Sequence, residues 1–396
     1  MTEFTGGNHI TLLRCGEAYF PALLEAIAAA RREIFLEAYI FADDAIGRAV
    51  AAALADAARR GVRARVLVDG FGARHFIATF GDLLRAAGVA VLVFRLEIAR
   101  FSGAFRLRRH RLRRLHRKLV AIDRRIAFIG GINIIDDYNV PFHIGPRFDY
   151  CVRIEGPLLA PIWDTLRRDW EKVAWASFKR RDRLPANDLP DPPVAGFQQA
   201  AFLLRNSIRH RNTIANAYLE AMRAARVSIV IANAYFFPGL RFRRALTNAA
   251  RRGIRVTVLL QGKSDHPLLH HASQALYGLL LRAGVRIFEY QRGFLHAKVA
   301  VIDQKWATVG SFNIDPFSLF LARESNVAVL DSPFAVELDA SLRQAIANDA
   351  KELTLNILER LPWHSRLLRW LCYGLVCLMT ALGVRERKAE DKNGSS

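Results

Sequence analysis

The sequence predicts a mixed α/β chain built from two tandem α-β-α domains related by pseudo-twofold symmetry. Three observations carry that prediction. The pattern His-x-Lys-x4-Asp occurs twice, as His116, Lys118 and Asp123 and again as His296, Lys298 and Asp303. Each copy is followed by two small residues and an asparagine (Gly130, Gly131 and Asn133; Gly310, Ser311 and Asn313), and each asparagine lies 17 residues beyond its histidine (133 − 116; 313 − 296). A proline-rich stretch containing Pro185, Pro190, Pro192 and Pro193 separates the copies. Two multi-point matches at equal spacing in one chain mark an internal duplication.

The elements follow in the same order in each copy. An apolar strand around Ile34–Phe41 corresponds to Ile229–Phe236, with Tyr39 loosely matched to Tyr235. A helical stretch then ends in Arg59-Arg60-Gly61 or Arg251-Arg252-Gly253, the glycine being the expected helix stop. A buried strand follows, Val62 to Val68 or Ile254 to Leu260. A second helix leads to Ala87-Gly88-Val89 or Ala283-Gly284-Val285, then to another strand and the motif. Alternating strands and helices of this kind predict layered α/β domains. The expected boundaries are residues 1–183 and 197–350 for the two domains, a linker at 184–196, and a separate C-terminal segment from 351 to 396.

The copies differ just before the histidine. Gly88 to His116 spans 28 residues and Gly284 to His296 spans 12, so the first copy carries 16 more (28 − 12). This basic insertion, placed at 97–114, holds Arg100, Arg106, Arg108, Arg109, Arg111, Arg113 and Arg114, interleaved with Phe101, Phe105, Leu107 and Leu112. An arginine run is commonly a solvated face. Here it abuts the motif and alternates with apolar residues, which suits anionic phospholipid at a site entrance. A strip of nucleic-acid phosphates would suit the charge as well.

Composition narrows the partner. The chain has 396 residues, 58 Lys and Arg against 37 Asp and Glu, and a formal net charge of +21. That balance implies a polyanion. A hydrophobic content of 52% is high for a nucleic-acid binder and favours an anionic membrane surface. The four cysteines, Cys15, Cys151, Cys372 and Cys377, have no CxxC spacing and read as free thiols. Residues 1–7 have neither a basic nor an apolar run, so no secretory signal is expected. Trp370 to Val384 is uncharged and flanked by Arg366, Arg369, Arg385 and Arg387. As a helix it would reach only ~22 Å at ~1.5 Å per residue, short of the roughly 20 apolar residues a span requires. It therefore reads as a helix lying in the membrane interface, with Trp370 facing lipid. A core or dimer helix is the bland alternative.

The motif residue types suit phosphate chemistry. On a strand, residues i and i+2 share a face, so each histidine is expected beside its lysine. The lysine takes charge on a non-bridging phosphate oxygen, and the imidazole does the chemistry. Asn133 and Asn313 can add amide donors. Asp123 and Asp303 belong to the candidate catalytic motif. They lie an odd number of residues on, however, and read as structural turn or salt-bridge groups. Two such sets can clamp one phosphorus. One neutral imidazole attacks, and the other, protonated, donates to the leaving oxygen. Each ring needs an acceptor to fix its tautomer. Asp149, 33 residues after His116, and Glu324, 28 after His296, occupy matching places in their repeats and are the expected orienting groups.

The paired motifs with Gly-Gly-x-Asn and Gly-Ser-x-Asn behind them resemble the phospholipase D superfamily over about residues 8 to 350. Phe128–Asn133, Asp149–Pro157, Ala232–Gly239 and Trp306–Asn313 resemble bacterial cardiolipin synthases, in their shorter B-type branch. The resemblance implies tandem phospholipase D-like domains and transphosphatidylation between two phosphatidylglycerol molecules. His116 would form the phosphohistidine, with His296 as acid and then base. It implies no cofactor and no metal, a bacterial inner-membrane location at the cytoplasmic face, phosphatidylglycerol and the membrane surface as partners, and no nucleic acid. Many members carry Arg-Ser after the second asparagine; here the run is Ile314-Asp315-Pro316-Phe317-Ser318. The rival readings are a phospholipid hydrolase using the same site with water, a nuclease favoured by charge alone, and a degenerate lipid-binding relative.

Overall fold

The computed structural model describes residues 2–95, 114–141, 145–177, 184, 190–206, 210–316, 318 and 322–393, with side chains described to residue 381. Most of the arginine insertion, including Arg106, Arg108, Arg109, Arg111 and Arg113, lies outside the described residues. So do 185–189 of the linker.

The duplication becomes two half-sheets with one strand order. In the first half Glu33–Ala38 pairs in parallel with Arg63–Asp69, which pairs in parallel with Ala90–Phe94. On its other side come the antiparallel strands Leu119–Ile122, Ile126–Gly130 and Tyr150–Glu155. The second half repeats this with Ser228–Asn233, Arg255–Gln261 and Arg286–Tyr290 on one side and Lys298–Ile302, Trp306–Gly310 and Ala322–Leu330 on the other. The strands Thr5–Arg14 and Gln198–Arg205 pair antiparallel between the halves and close them into one 16-stranded sheet. The central strands are apolar through their middles and fully buried on both faces, with polar residues such as Glu33, Glu37, Ser228 and Asn233 toward their ends, as helix-covered strands allow when those groups are paired.

Helices cover both faces. Cys15–Ala29, Ala45–Arg59 and Phe76–Ala86 pack outside the first half, and Thr213–Ala224 and Leu240–Arg251 outside the second. The longer helices Leu159–Ala176 and Ser332–Asp349 lie inside. Trp163 and Trp170 from one, and Phe334 and Leu338 from the other, share a core with strand residues of both halves. One hydrophobic core therefore fixes the halves against each other. The helix-stopping glycines act as expected: Gly61 and Gly253 follow their helices at φ +91° and +84°, a region that costs L-residues a steric clash.

Beyond the second half, Trp363–Asn393 forms one helix, longer at both ends than the uncharged stretch from Trp370 to Val384. Val376 is buried with Phe237, Leu269, Ala272 and Leu276, which docks the helix on Pro267–Gln274. Leu367, Leu368, Trp370, Leu371, Leu375, Leu378 and Met379 are 43–62% exposed. Among the described residues, no helix is long and apolar enough to cross a membrane.

Candidate active site

Each motif strand is interrupted at its histidine, a departure from the single strand expected from sequence. Arg114–Leu115 pairs in parallel with Ala322–Arg323 of the other half, and Phe294–Leu295 pairs in parallel with Arg147–Phe148. The main-sheet strands resume only at Leu119 and Lys298. A carboxamide or carboxylate at the end of each third strand pins the short lead-in. Asp69 Oδ2 accepts from Leu115 N–H at 2.8 Å, and Gln261 Oε1 accepts from Leu295 N–H. The chain then crosses from one half's sheet to the other's edge, and His116 N–H donates to Arg323 O (3.0 Å) while His296 N–H donates to Phe148 O (2.8 Å).

That register sets the carboxylates. The residue after Arg323 is Glu324, and the residue after Phe148 is Asp149. Both Glu324 carboxylate oxygens lie 3.0 Å from His116 Nδ1, and Asp149 Oδ2 lies 2.6 Å from His296 Nδ1. Both acids therefore orient a ring, but each does so across the halves. Spacing within a repeat could not reveal this, because the pairing depends on inter-half strand register. Both carboxylates are buried, so the Nε2 atoms are the free ends of the rings.

The small-residue pair has a reason at this point. A Cβ on Gly131 would stand 2.3 Å from Asp149 Oδ1. In the other half Ser311 occupies the equivalent place, and its hydroxyl donates to Glu324 Oε2 at 2.5 Å. The pairs are thus glycine with aspartate and serine with the longer glutamate. Ser318 adds a second hydroxyl to Glu324 at 3.2 Å.

The lysines lie deeper than the same-face argument predicts. The two histidines line a cleft of about 1000 Å³ together with Asn133, Asn313, Tyr39, Tyr235, Arg114 and Arg147. Lys118 and Lys298 are buried beneath it, each donating to the carbonyl of its own histidine. The strand break at the histidine removes the strict i, i+2 alternation. Arg117, between His116 and Lys118, points the other way into a buried ion cluster with Glu37 and Asp169.

Electrostatics follow from burial and crowded charge. Burial pushes Lys118 down to about 7 and Lys298 to about 8, against the pull of Glu324 and Asp149. His296 is held well below its ordinary value by burial, Lys298 and Arg147. His116 is lowered by burial, with Glu324 opposing and Lys118 assisting. Burial raises Asp149 to about 6 despite Lys298. Burial works against the charge of Glu324 too, but His116, Lys118 and Ser311 outweigh it and hold this acid below its ordinary value. Glu324 and Asp149 offset part of the lysine charge, and a phosphodiester between the imidazoles would favour the charged form of both lysines.

Asn133 Oδ1 accepts from Ile40 N–H (3.2 Å), which leaves its NH2 available, while Asn313 Oδ1 is buried without a partner. Asp123 and Asp303 do not reach the cleft. Asp123 accepts from the N–H groups of Arg31, Arg32 and Glu33 at 2.7–2.8 Å, and Asp303 from Arg226, Val227 and Ser228 at 2.8 Å. They pin the start of each half's first central strand from the far end of the motif, away from the cleft, which departs from their place in the candidate catalytic motif. Of the arginines expected to face lipid, Arg114 is described, and it stands on the cleft wall. Trp370 is 56% exposed on the C-terminal helix.

Sequence reasoning missed several groups. Tyr39 packs edge-on to His116, with ring centroids 4.8 Å apart and Lys118 Nζ 5.2 Å from its ring. Tyr235 OH donates to Asp265 at 2.7 Å. Arg147 lies over Phe294 and opposite that residue in the cross-half pair. Asp69 and Gln261 did leave a signal: each is a polar residue closing an apolar strand just before a glycine, at one place in both repeats.

The family model described as "Cardiolipin synthase, PLD-like domain" matches residues 23–170 and again 218–346. The chain belongs to this family. It is 41% identical over 357 residues to cardiolipin synthase B of Escherichia coli K12, covering 90% of this chain and 85% of that one. It is 33% identical over 378 residues to cardiolipin synthase A of Proteus mirabilis HI4320, covering 93% and 75%. The phosphatidylserine synthase structure of Haemophilus influenzae Rd KW20 superposes with a TM-score of 0.70 at 14% identity, covering 96% and 97% of the two chains. This last likeness bears on the PLD-like fold, whose two halves match the doubled family model.

Proposed function

We propose that the protein is a cardiolipin synthase, a phosphatidyltransferase that joins two phosphatidylglycerol molecules and releases one glycerol. The observation that carries the reading is the placement of two imidazoles on one cleft, each with Nδ1 held by a carboxylate of the other half. The relatives named above support it at high coverage.

The phosphodiester of the first lipid sits between the rings. Neutral His116 attacks phosphorus through Nε2, forming an N–P bond. The P–O bond to glycerol breaks, and His296, whose protonated form the negative charge of the bound phosphodiester favours against burial and the nearby Lys298 and Arg147, delivers its proton to that oxygen. A hydroxyl of the second phosphatidylglycerol then gives its proton to His296 and forms a new P–O bond as the N–P bond breaks. A phosphodiester enters and a phosphodiester leaves, so no nucleotide is needed. Glu324 and Asp149 are positioning residues that fix the tautomers. Lys118, Lys298, Asn133 and Asn313 neutralise or bind the phosphate oxygens, a task metals perform in other phosphoryl-transfer enzymes. Synthesis over hydrolysis requires that water be kept from the phosphohistidine. The protein works peripherally at the cytoplasmic face of a bacterial inner membrane, with the exposed apolar face of the C-terminal helix in the interface.

The test is product analysis with phosphatidylglycerol in mixed micelles containing a chelator, beside His116→Ala. Cardiolipin and free glycerol, absent from the variant, are expected. Phosphatidic acid as the sole lipid product would make the enzyme a hydrolase. Cleavage of single-stranded DNA with no lipid product would assign the basic charge to nucleic acid.

A further inference from the structure

The pseudo-twofold axis gives the cleft two copies of histidine, lysine and asparagine, but its arginines break the symmetry. Position 114, two residues before the first histidine, corresponds to Phe294 before the second. Position 147 corresponds to Ala322. The cross-half pairs are therefore Arg114 opposite Ala322 and Arg147 opposite Phe294. One guanidinium flanks each histidine, and both come from the first half. Their bonding differs. Arg147 is held by structure at both Nη atoms, which donate to Asp136 O and Asn139 O at 3.4 Å, its guanidinium lies 5.5 Å from the Phe294 ring centroid, and its Nε is buried without an acceptor. Arg114 has no ion-pair partner among the described residues. Its guanidinium carbon lies 4.8 Å from the Phe71 ring centroid, and its Nη1 is buried with no hydrogen-bond partner.

A buried guanidinium nitrogen with nothing to donate to is costly. On a cleft wall beside the reacting histidine, it marks a place where a ligand supplies the acceptor. The two lysines and two asparagines already serve the phosphate between the imidazoles. A transfer between two anionic lipids, however, must hold two phosphodiesters in one cleft at once, and the second is repelled by the first unless it has a cation of its own.

We propose that Arg114 is a second phosphate subsite, which binds the unreacting phosphodiester of the acceptor lipid and presents that lipid's terminal hydroxyl to the phosphohistidine. The subsite rests on the transphosphatidylation reading. It gives a chemical reason for the acceptor to be an anionic phospholipid rather than a free alcohol. A planar fork of donors stacked on Phe71 suits a phosphodiester better than a lysine would.

The test compares two acceptors on one enzyme. Full-length wild type, Arg114→Gln and Arg114→Lys are given phosphatidylglycerol and radiolabelled glycerol together. Cardiolipin formation uses the anionic acceptor, whereas label entering phosphatidylglycerol uses free glycerol against the same phosphohistidine. Losing one charge-assisted contact should lower the ratio of cardiolipin formation to glycerol exchange by roughly 10- to 100-fold in Arg114→Gln. Arg114→Lys should recover part of it, since it keeps the charge and loses the fork. Equal loss of both reactions would overturn the subsite and make Arg114 a support for His116. An unaltered ratio would also overturn it. Failure of the wild type to perform either reaction would instead sink the transferase reading on which the subsite rests.

Discussion

Replacing Gly131 with alanine should disable the enzyme without replacing any polar side chain of the cleft. The added Cβ would lie 2.3 Å from Asp149 Oδ1 and 2.4 Å from Oδ2, whereas ordinary contact begins near 3.4 Å. The neighbour is the end of a side chain, so the easy relaxation is for the carboxylate to retreat by about 1 Å (3.4 − 2.3). That retreat takes Asp149 out of reach of His296 Nδ1, which it now meets at 2.6 Å. A misplacement of about 1 Å costs on the order of 10²-fold in rate, or about 2.7 kcal/mol of transition-state stabilisation at ~1.36 kcal/mol per tenfold. The other half shows how a Cβ is tolerated at this place: Ser311 stands beside the longer Glu324 and donates to it at 2.5 Å. The double variant Gly131→Ser with Asp149→Glu copies that pair and should regain activity to within about tenfold of wild type, a non-additive outcome typical of groups in contact. The assay is initial-rate cardiolipin formation, with thermal unfolding run in parallel to exclude loss of folded protein. A Gly131→Ala enzyme that is well folded and within about threefold of wild type would refute the reasoning.

Other consequences are as direct. Asp303→Ala removes the acceptor for three backbone N–H groups. It should lower stability by about 2 kcal/mol, some of those donors turning to water, while the activity of the remaining folded enzyme holds; a hundredfold fall in kcat with an unaltered Tm would return Asp303 to the chemistry. Lys118 at about 7 and Lys298 at about 8 are charged below those values and lose their charge as pH rises through them. Capture of an anionic lipid, read as kcat/KM, should therefore decline between pH 7 and pH 8–9, and a profile flat to pH 10 contradicts buried, depressed lysines. Deleting residues 363–396 should release the protein from phosphatidylglycerol vesicles in a sedimentation assay. Charging the exposed helix face with Leu371→Glu, Leu375→Glu and Leu378→Glu should do the same, since burying each leucine is worth up to about 2 kcal/mol. Unchanged sedimentation of both variants would remove the helix from membrane binding.

The repeat architecture was legible because hydrophobic runs, helix-stopping glycines and the doubled motif are local patterns that recur in order. Gly61 and Gly253 ended their helices as the sequence implied, and the strand order of both halves followed. Asp123 and Asp303 lie away from the cleft on backbone N–H groups, although the unbroken strand behind the odd-spacing argument is interrupted at each histidine. What the sequence could not carry was register between halves. His116 meets Glu324 because its N–H bonds to Arg323 O, a pairing of residues over 200 positions apart (324 − 116 = 208). The depth of the lysines was misjudged for a related reason: the strand breaks where the chain leaves its own sheet. Arg114 was grouped with its neighbouring arginines by composition, although its alignment with Phe294 already set it apart.

The most direct measurement is to trap the covalent intermediate. Phosphatidylglycerol labelled at phosphorus is mixed with excess enzyme and quenched in alkaline detergent, and the labelled peptide is mapped. The mechanism predicts an acid-labile, base-stable label on the peptide carrying His116, absent from His116→Ala and formed far more slowly in His296→Ala, which lacks the acid for glycerol departure. Cardiolipin formation with no covalent label, or label on a lysine, would contradict it.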